Sequence, residues 1–319
     1  PLDQYRRQRR GGRGLGQIET KEEDYVIRTF VTRTHDDVLF FTNLGRVYRL
    51  KAYELPEGSR QSKGKAVVNL LARLKDGERV QTLLPIHDLA GAGSLFFATR
   101  RGLVKRTALG QFQNIRTSGI QAILLEEGDE LVDVAQVADE ASEILLATAS
   151  GQLVRFALGE VRPMGRATYG VIGVRLSEET DDRVVAMAPV SARFPTLLSL
   201  TSTGYGKQTP VAEYRKTARG AKGVRTIKTG DRNGSVVAVL PATDASELLV
   251  TTRTGVTIRM TVKGIRTQSR NTLGVRVIRL DEGDEVRDAI VLPAPEEGNG
   301  TDPATGDDGD GATAPDAGP

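Results

Sequence analysis

The residues of this chain best suited to chemistry are arginines, and they recur at a regular spacing. Arg10, Arg60, Arg166, Arg219 and Arg270 form the series, and Arg116 stands close to where a further member would fall. Lys63, Lys65 and Lys222 crowd the same stretches. The first arginine of the series lies in Gln8, Arg9, Arg10, Gly11, Gly12, Arg13, Gly14, part of a stretch with five arginines and three glycines between Arg6 and Gly14. A guanidinium group grips phosphate oxygens as a bidentate fork. Neighbouring glycines let backbone N–H groups approach the same oxygens. The chemistry is therefore phosphate recognition, and a row of such groups suits a polyanion, of which duplex nucleic acid is the obvious case.

Other chemistries find little support. The 319 residues include no cysteine or tryptophan and only two histidines, His35 and His87. Disulfide frameworks, thiol catalysis and cysteine-based zinc sites are excluded. No acid, base, nucleophile or metal-ligand cluster recurs, so the chain reads as non-catalytic and without a cofactor of its own. Acidic turns such as Glu126 to Glu130 lack the ligand spacing of a calcium loop and read as solvated β-turns. The histidines read as structural or surface groups, and Tyr25, Tyr48, Tyr53, Tyr169, Tyr205 and Tyr214 as strand-packing residues. No apolar run reaches the eighteen residues of a membrane helix, and the expectation is a soluble cytoplasmic protein.

The elements that must position the arginines are repeats. DDVLFFTNLGRVYRL, GSLFFATRRGLVKRT, SEILLATASGQLVRF, PTLLSLTSTGYGKQT and SELLVTTRTGVTIRM each place a polar, Gly-containing turn between two extended runs. These are β-hairpin signals, with Gly45, Gly102, Gly151, Gly204 and Gly255 able to take positive φ. The turn glycines are 57, 49, 53 and 51 residues apart. An all-β period near fifty residues belongs to radial architectures such as propellers. A second glycine follows at nineteen residues in four repeats (Gly64, Gly170, Gly223, Gly274) and at seventeen in the other (Gly119). Then come another strand, as in KAVVNLL or VIGVRL, an acidic or polar turn, and a fourth strand such as QTLLPI, giving four strands per repeat. In this register the arginines stand fifteen residues after the turn glycine, with Arg116 one place early. Equivalent loops of a radial fold occupy equivalent places, so the cations should form a circumferential belt.

The same register reaches the beginning of the chain. Leu2, Tyr5 and Gly14 match the seventh, tenth and nineteenth positions of a repeat whose turn glycine would precede residue 1. Residues 1–35 are therefore expected to be the back half of a sixth repeat, a first blade truncated at its N-terminus, with the basic cluster in a loop between strands. At the other end, residues 293–319 hold seven acidic residues and no Lys or Arg, so the net charge of +3 becomes +10 without them. Rich in Gly, Pro and Ala, that segment is expected to be a disordered acidic tail following one domain over residues 1–292.

QRRGGRG, with Arg13 where lysine is usual, resembles the seven-residue box of the C-terminal domain of the DNA gyrase A subunit, and the looser resemblance of the repeats covers essentially the whole chain. The resemblance implies a six-bladed β-pinwheel, a propeller-like disc whose blades share strands with their neighbours. It also implies duplex DNA wrapped around a basic rim without sequence preference. The implied partners are the remainder of the gyrase A polypeptide and the B subunit of an A2B2 enzyme, which uses ATP and Mg elsewhere to introduce negative supercoils. The box residues Gln8, Arg9, Arg10, Gly11, Gly12, Arg13 and Gly14 carry over position by position, and the isolated domain is expected to be a monomer.

Two alternatives stay open at this point. The related topoisomerase IV subunit carries a similar disc, and a propeller-like module could instead bind protein partners. Locally, basic loops can be merely solvated faces. Arg49, Arg106, Arg155 and Arg259, four residues past their turn glycines, read as outer-face solubilisers or as extra phosphate contacts.

Overall fold

The computed structural model describes residues 32–57, 65–71, 73–137, 143–177, 181–190 and 193–292, and the backbone alone of 7–8 and 15–16. The five expected hairpins form. Their turn glycines all take positive φ, from 72° at Gly45 to 86° at Gly102. Free conformation is only part of the need, since a Cβ on Gly102 or Gly204 would come within 2.7 Å of the carbonyl oxygens of Val174 or Ile278. The flanking strands are buried on both faces, as in Asp37–Thr42 and Ser94–Thr99, which suits their unbroken apolar runs.

Each hairpin is the centre of a blade. In the Gly151 blade, Val184–Val190 pairs with Glu143–Thr148, which pairs with Gln152–Ala157, all antiparallel. The fourth, outermost strand is only two residues long, Val224–Arg225, and it comes from the next repeat. Ile120–Gln121, Val171–Ile172 and Val275–Arg276 are donated backwards in the same way, each to the hairpin of the repeat before it. Four of the five described repeats hold four strands and the Gly45 repeat three, and the four strands of a repeat are not one blade, because the short one joins the repeat before it, in agreement with strand sharing. The long last strands, Val80–Ile86, Leu131–Val137, Val184–Val190, Val236–Ala242 and Val286–Leu292, contact one another in succession and line the middle.

Cores lie between blades. Leu39, Phe41 and Val47 of the Gly45 blade pack with Leu95, Phe97 and Phe112 of the Gly102 blade, and Phe41 meets Phe97 edge-on at 5.7 Å. Similar clusters fill the next three boundaries. Each fully buried large apolar side chain contributes about 1.5–3 kcal/mol, so neighbouring blades depend on each other for stability.

Among the described residues there are five blades. Of residues 1–35, Leu15–Gly16 lies antiparallel on Val256–Thr261, with Gly16 opposite Val256, as Arg225 lies opposite Gln152. Arg7–Gln8 runs parallel to the same strand, Arg7 opposite Arg259, as Thr267 lies opposite Gln208. The N-terminal stretch therefore supplies the outer strand of the Gly255 blade in the register counted from sequence. The body of a sixth blade and the segment 293–319 lie outside the described residues. KAVVNLL differs from expectation, because Val67–Asn69 is a 3-10 helix and Leu71 covers Val38, Phe40 and Tyr48. Among the described residues no hairpin of an earlier repeat stands where this short strand would pair.

Candidate nucleic-acid interface

The outer edge is made by the short strands and the loops that lead into them. Each loop crosses a blade boundary, and the second glycine of the repeat lets it lie flat. Gly223 has a φ of 86°, and a Cβ there would come within 2.5 Å of the Leu153 carbonyl oxygen on the preceding blade. Any other residue would lift the strand Val224–Arg225 off its partner.

The loops carry the recurring arginines in one arrangement. Arg166 Nη1 donates to the carbonyl of Gln121 at 3.3 Å, Arg219 Nη1 to Ile172 at 3.1 Å, and Arg270 Nη1 to Arg225 at 3.4 Å. Each acceptor belongs to the short strand of the preceding repeat. The main-chain N–H groups of the same arginines donate to Gln111 Oε1, Glu160 Oε2 and Glu213 Oε2, at 3.1, 2.9 and 3.2 Å. Those three acceptors also hold equivalent positions, nine residues past their turn glycines. Arg219 is exposed, and Arg166 and Arg270 are half-buried. Among the described residues none of the three guanidinium groups enters an ion pair, so each is fixed by a neutral carbonyl and keeps its charge uncompensated. Arg116, Lys65 and Lys222 are exposed. Gln8 lies on the short strand Arg7–Gln8, whereas Arg9, Arg10, Gly11, Gly12, Arg13, Gly14, Arg60 and Lys63 lie outside the described residues.

The edge holds further cations that the sequence reading passed over. Arg225 and Arg276 are exposed on the short strands, both twenty-one residues past a turn glycine, so the same counting could have found them. Arg276 and Arg232 both lie 5.5 Å from the centroid of Tyr205 and donate to its hydroxyl at 3.2 and 3.5 Å. The hydrogen bonds from Arg232 and then Arg276 pull the Tyr205 hydroxyl below its ordinary pKa. Arg232 has no repeat partner, and no sequence signal marks it.

Three of the strand cations, Arg106, Arg155 and Arg259, are engaged within and between blades, and only Arg49 is exposed. Arg106 and Arg259 are buried. Arg259 pairs with Glu247 through Nε at 2.7 Å, and Arg155 with Glu143 through Nε at 2.5 Å. The pattern recurs at the same two register positions, with Arg106 on Ser94 Oγ at 3.2 Å and Thr196 donating to Gln208 Oε1 at 3.0 Å. From there the side chain reaches the next blade: Arg155 Nη1 donates to the carbonyls of Val211 and Tyr214 at 2.8 and 2.9 Å, and Gln208 Nε2 to those of Val262 and Ile265, both at 3.0 Å. These residues clamp blade to blade. Arg49 is the exposed member, with Asp37 at 3.8 Å and the Gln113 carbonyl at 2.9 Å.

Of the tyrosines, Tyr48, Tyr205 and Tyr214 are buried, but Tyr53 and Tyr169 are exposed and do not pack strands, because they stand in edge segments. Tyr25 lies outside the described residues. His87 Nδ1 lies 2.9 Å from Asp36 Oδ1, and His35 meets Tyr53 edge-on, both at the surface.

Comparison with known proteins agrees with this geometry. A family model described as DNA gyrase C-terminal domain, beta-propeller, matches residues 1–33, 36–87, 93–138, 142–191, 195–243 and 246–293. The DNA gyrase A subunit of Deinococcus deserti is 42% identical over 293 residues, which is 91% of this chain and 36% of that protein. Its counterpart from Ureaplasma parvum is 41% identical over 92% of this chain and 34% of its own length, and that of Staphylococcus aureus strain MRSA252 is 44% identical over 88% and 32%. The chain thus spans about a third of the curated relatives it matches. Among solved structures, a DNA gyrase A C-terminal domain superposes with a TM-score of 0.79 at 24% identity, covering 91% of this chain and 94% of that one. A C-terminal domain of DNA topoisomerase IV superposes with a TM-score of 0.71 at 27% identity, covering 82% and 80%.

Proposed function

The chain belongs to the family of the DNA gyrase C-terminal domain, and we propose that it binds duplex DNA through its phosphates and wraps it around the outer edge of the blades. The observation that carries this reading is the set of Arg166, Arg219 and Arg270, each fixed on a carbonyl of the preceding short strand with its charge unpaired. The repeat distributes them along one curved edge, where Arg225, Arg232 and Arg276 add to them. Bending duplex smoothly by 40–90° over 20–30 base pairs costs on the order of 1–6 kcal/mol, which a continuous row of phosphate contacts offsets. Binding of this kind draws on backbone contacts and deformability, with little base reading and a steep salt dependence.

In this reading the domain does not cut DNA. It presents a wrapped segment of fixed handedness to the rest of the gyrase A polypeptide, which acts with a B subunit in an A2B2 enzyme. ATP-driven strand passage there introduces negative supercoils in the bacterial cytoplasm. Ligating nicked circles with and without the chain tests the proposal: a reproducible shift of linking number in one direction is expected, and an unshifted distribution overturns it. Negative supercoiling by the reconstituted enzyme separates a gyrase from a topoisomerase IV assignment.

A further inference from the structure

Among the described residues two lysines are completely buried, Lys105 and Lys207, and they hold one register position, three residues past Gly102 and Gly204. Lys105 Nζ donates to the carbonyls of Ala122 at 2.7 Å, Thr168 at 3.4 Å and Arg166. Lys207 Nζ donates to the carbonyls of Arg270 at 2.7 Å and Ser269. A buried ammonium is costly unless its donors are satisfied, and neither lysine forms an ion pair among the described residues. What satisfies them is main chain: for Lys207 the edge loop of the next repeat, and for Lys105 that loop together with Ala122 of its own repeat. The other repeats carry Tyr48, Val154 and Ile258 at this position. The loop that follows Val154 has an exposed arginine, Arg219, whereas the loops over the two lysines have half-buried ones.

The charges around each ammonium are few. Lys105 faces Arg166 and stands 5.6 Å from the centroid of Phe97; Lys207 faces Glu213 and Arg270. Burial, aided by Arg166, pulls Lys105 down to about 7. Burial also pulls Lys207 down to about 8, with Glu213 opposing and Arg270 adding to the fall.

We propose that Lys105 and Lys207 are positioning residues of the outer edge: each ammonium gathers the loop carbonyls and holds the guanidinium of Arg166 or Arg270 where duplex phosphates pass. This rests on the DNA-wrapping reading.

The test compares the wild-type chain with K105M and K207M, each alone, at pH 6.5. Amide hydrogen exchange in residues 164–168 and 267–270, and in 217–220 of the equivalent loop over Val154, is measured without DNA and corrected for intrinsic sequence rates; linking number is measured in ligated nicked circles. Each variant should exchange about tenfold faster in the loop its own lysine holds and at the wild-type rate in the other, as expected for losing one or two charge-assisted hydrogen bonds, and should reduce the linking-number shift. A folded variant whose loop exchanges at the wild-type rate overturns the proposal. So does wild-type protein in which the two lysine-held loops are no better protected than residues 217–220, even if the variants fail to fold. Wild-type protein that shifts no linking number overturns the wrapping reading instead, while loop exchange still decides the role of the lysines.

Discussion

The guanidinium of Arg219 rests on the carbonyl of Ile172, 3.1 Å away, so an edge cation of one repeat is held by the outermost strand of the repeat before it. Arg166 on Gln121 and Arg270 on Arg225 repeat the relationship. A carbonyl fixes the fork without cancelling its charge, as a carboxylate would.

Replacing Arg219 by Ala should therefore affect binding more than folding. The two lost side-chain hydrogen bonds, to the carbonyls of Ile172 and Glu160, are at the surface and cost about 0.5–1.5 kcal/mol each in a denaturant melt. The slope of log affinity against log salt should fall by about one, uniformly across DNA sequences. An unchanged slope would remove Arg219 from the DNA path.

The box makes a stronger claim. Replacing Arg9, Arg10 and Arg13 together by Ala should abolish or strongly reduce the linking-number shift while the thermal midpoint stays near that of the wild type. Normal writhe in ligated circles would show that the box is not the anchor.

The blade clamps should behave in the opposite way. Glu247→Ala removes the carboxylate paired with the buried Arg259 and should cost about 3–5 kcal/mol of stability, read from urea melts. Removing both charges with Glu247→Leu and Arg259→Met should recover much of that loss. Edge affinity, measured where both variants are folded, should change little.

The buried lysines set the sign of a pH effect on stability. Their folded pKa values, about 7 and about 8, lie below the ordinary lysine value of 10.5, so the unfolded chain binds more protons in between. Stability should rise from neutral pH towards pH 10.5 and fall as the pH drops through the folded values. The K105M/K207M variant should lose this slope in thermal melts across that range.

The acidic segment 293–319 gives a further test. Seven carboxylates tethered to a basic domain would compete with phosphate for Arg60, Arg219 or Arg270. Deleting the segment should tighten DNA binding, most visibly at low salt where screening is weak. Equal affinity across salt would leave it a passive solubilising end.

Sequence alone determined the hairpins, because a turn glycine at positive φ between two apolar runs is a local requirement that repeats five times. It also placed Arg166, Arg219 and Arg270 in one register, and counting six positions further, to the twenty-first residue past the turn glycine, would have added Arg225 and Arg276. Tertiary structure decided what the register could not. Strands of two residues carry no periodicity, so their passage to the neighbouring blade is invisible until Gly223 is seen lying against Leu153. A charged residue reads as surface by type, yet Arg259, Lys105 and Lys207 are buried because carboxylate or carbonyl partners wait for them. Those of the lysines stand at least 17 residues away, on the next repeat's edge loop and, for Lys105, also at Ala122 of its own repeat. Whether a cation faces solvent or clamps a blade depends on such distant partners, and only the assembled blades supply them.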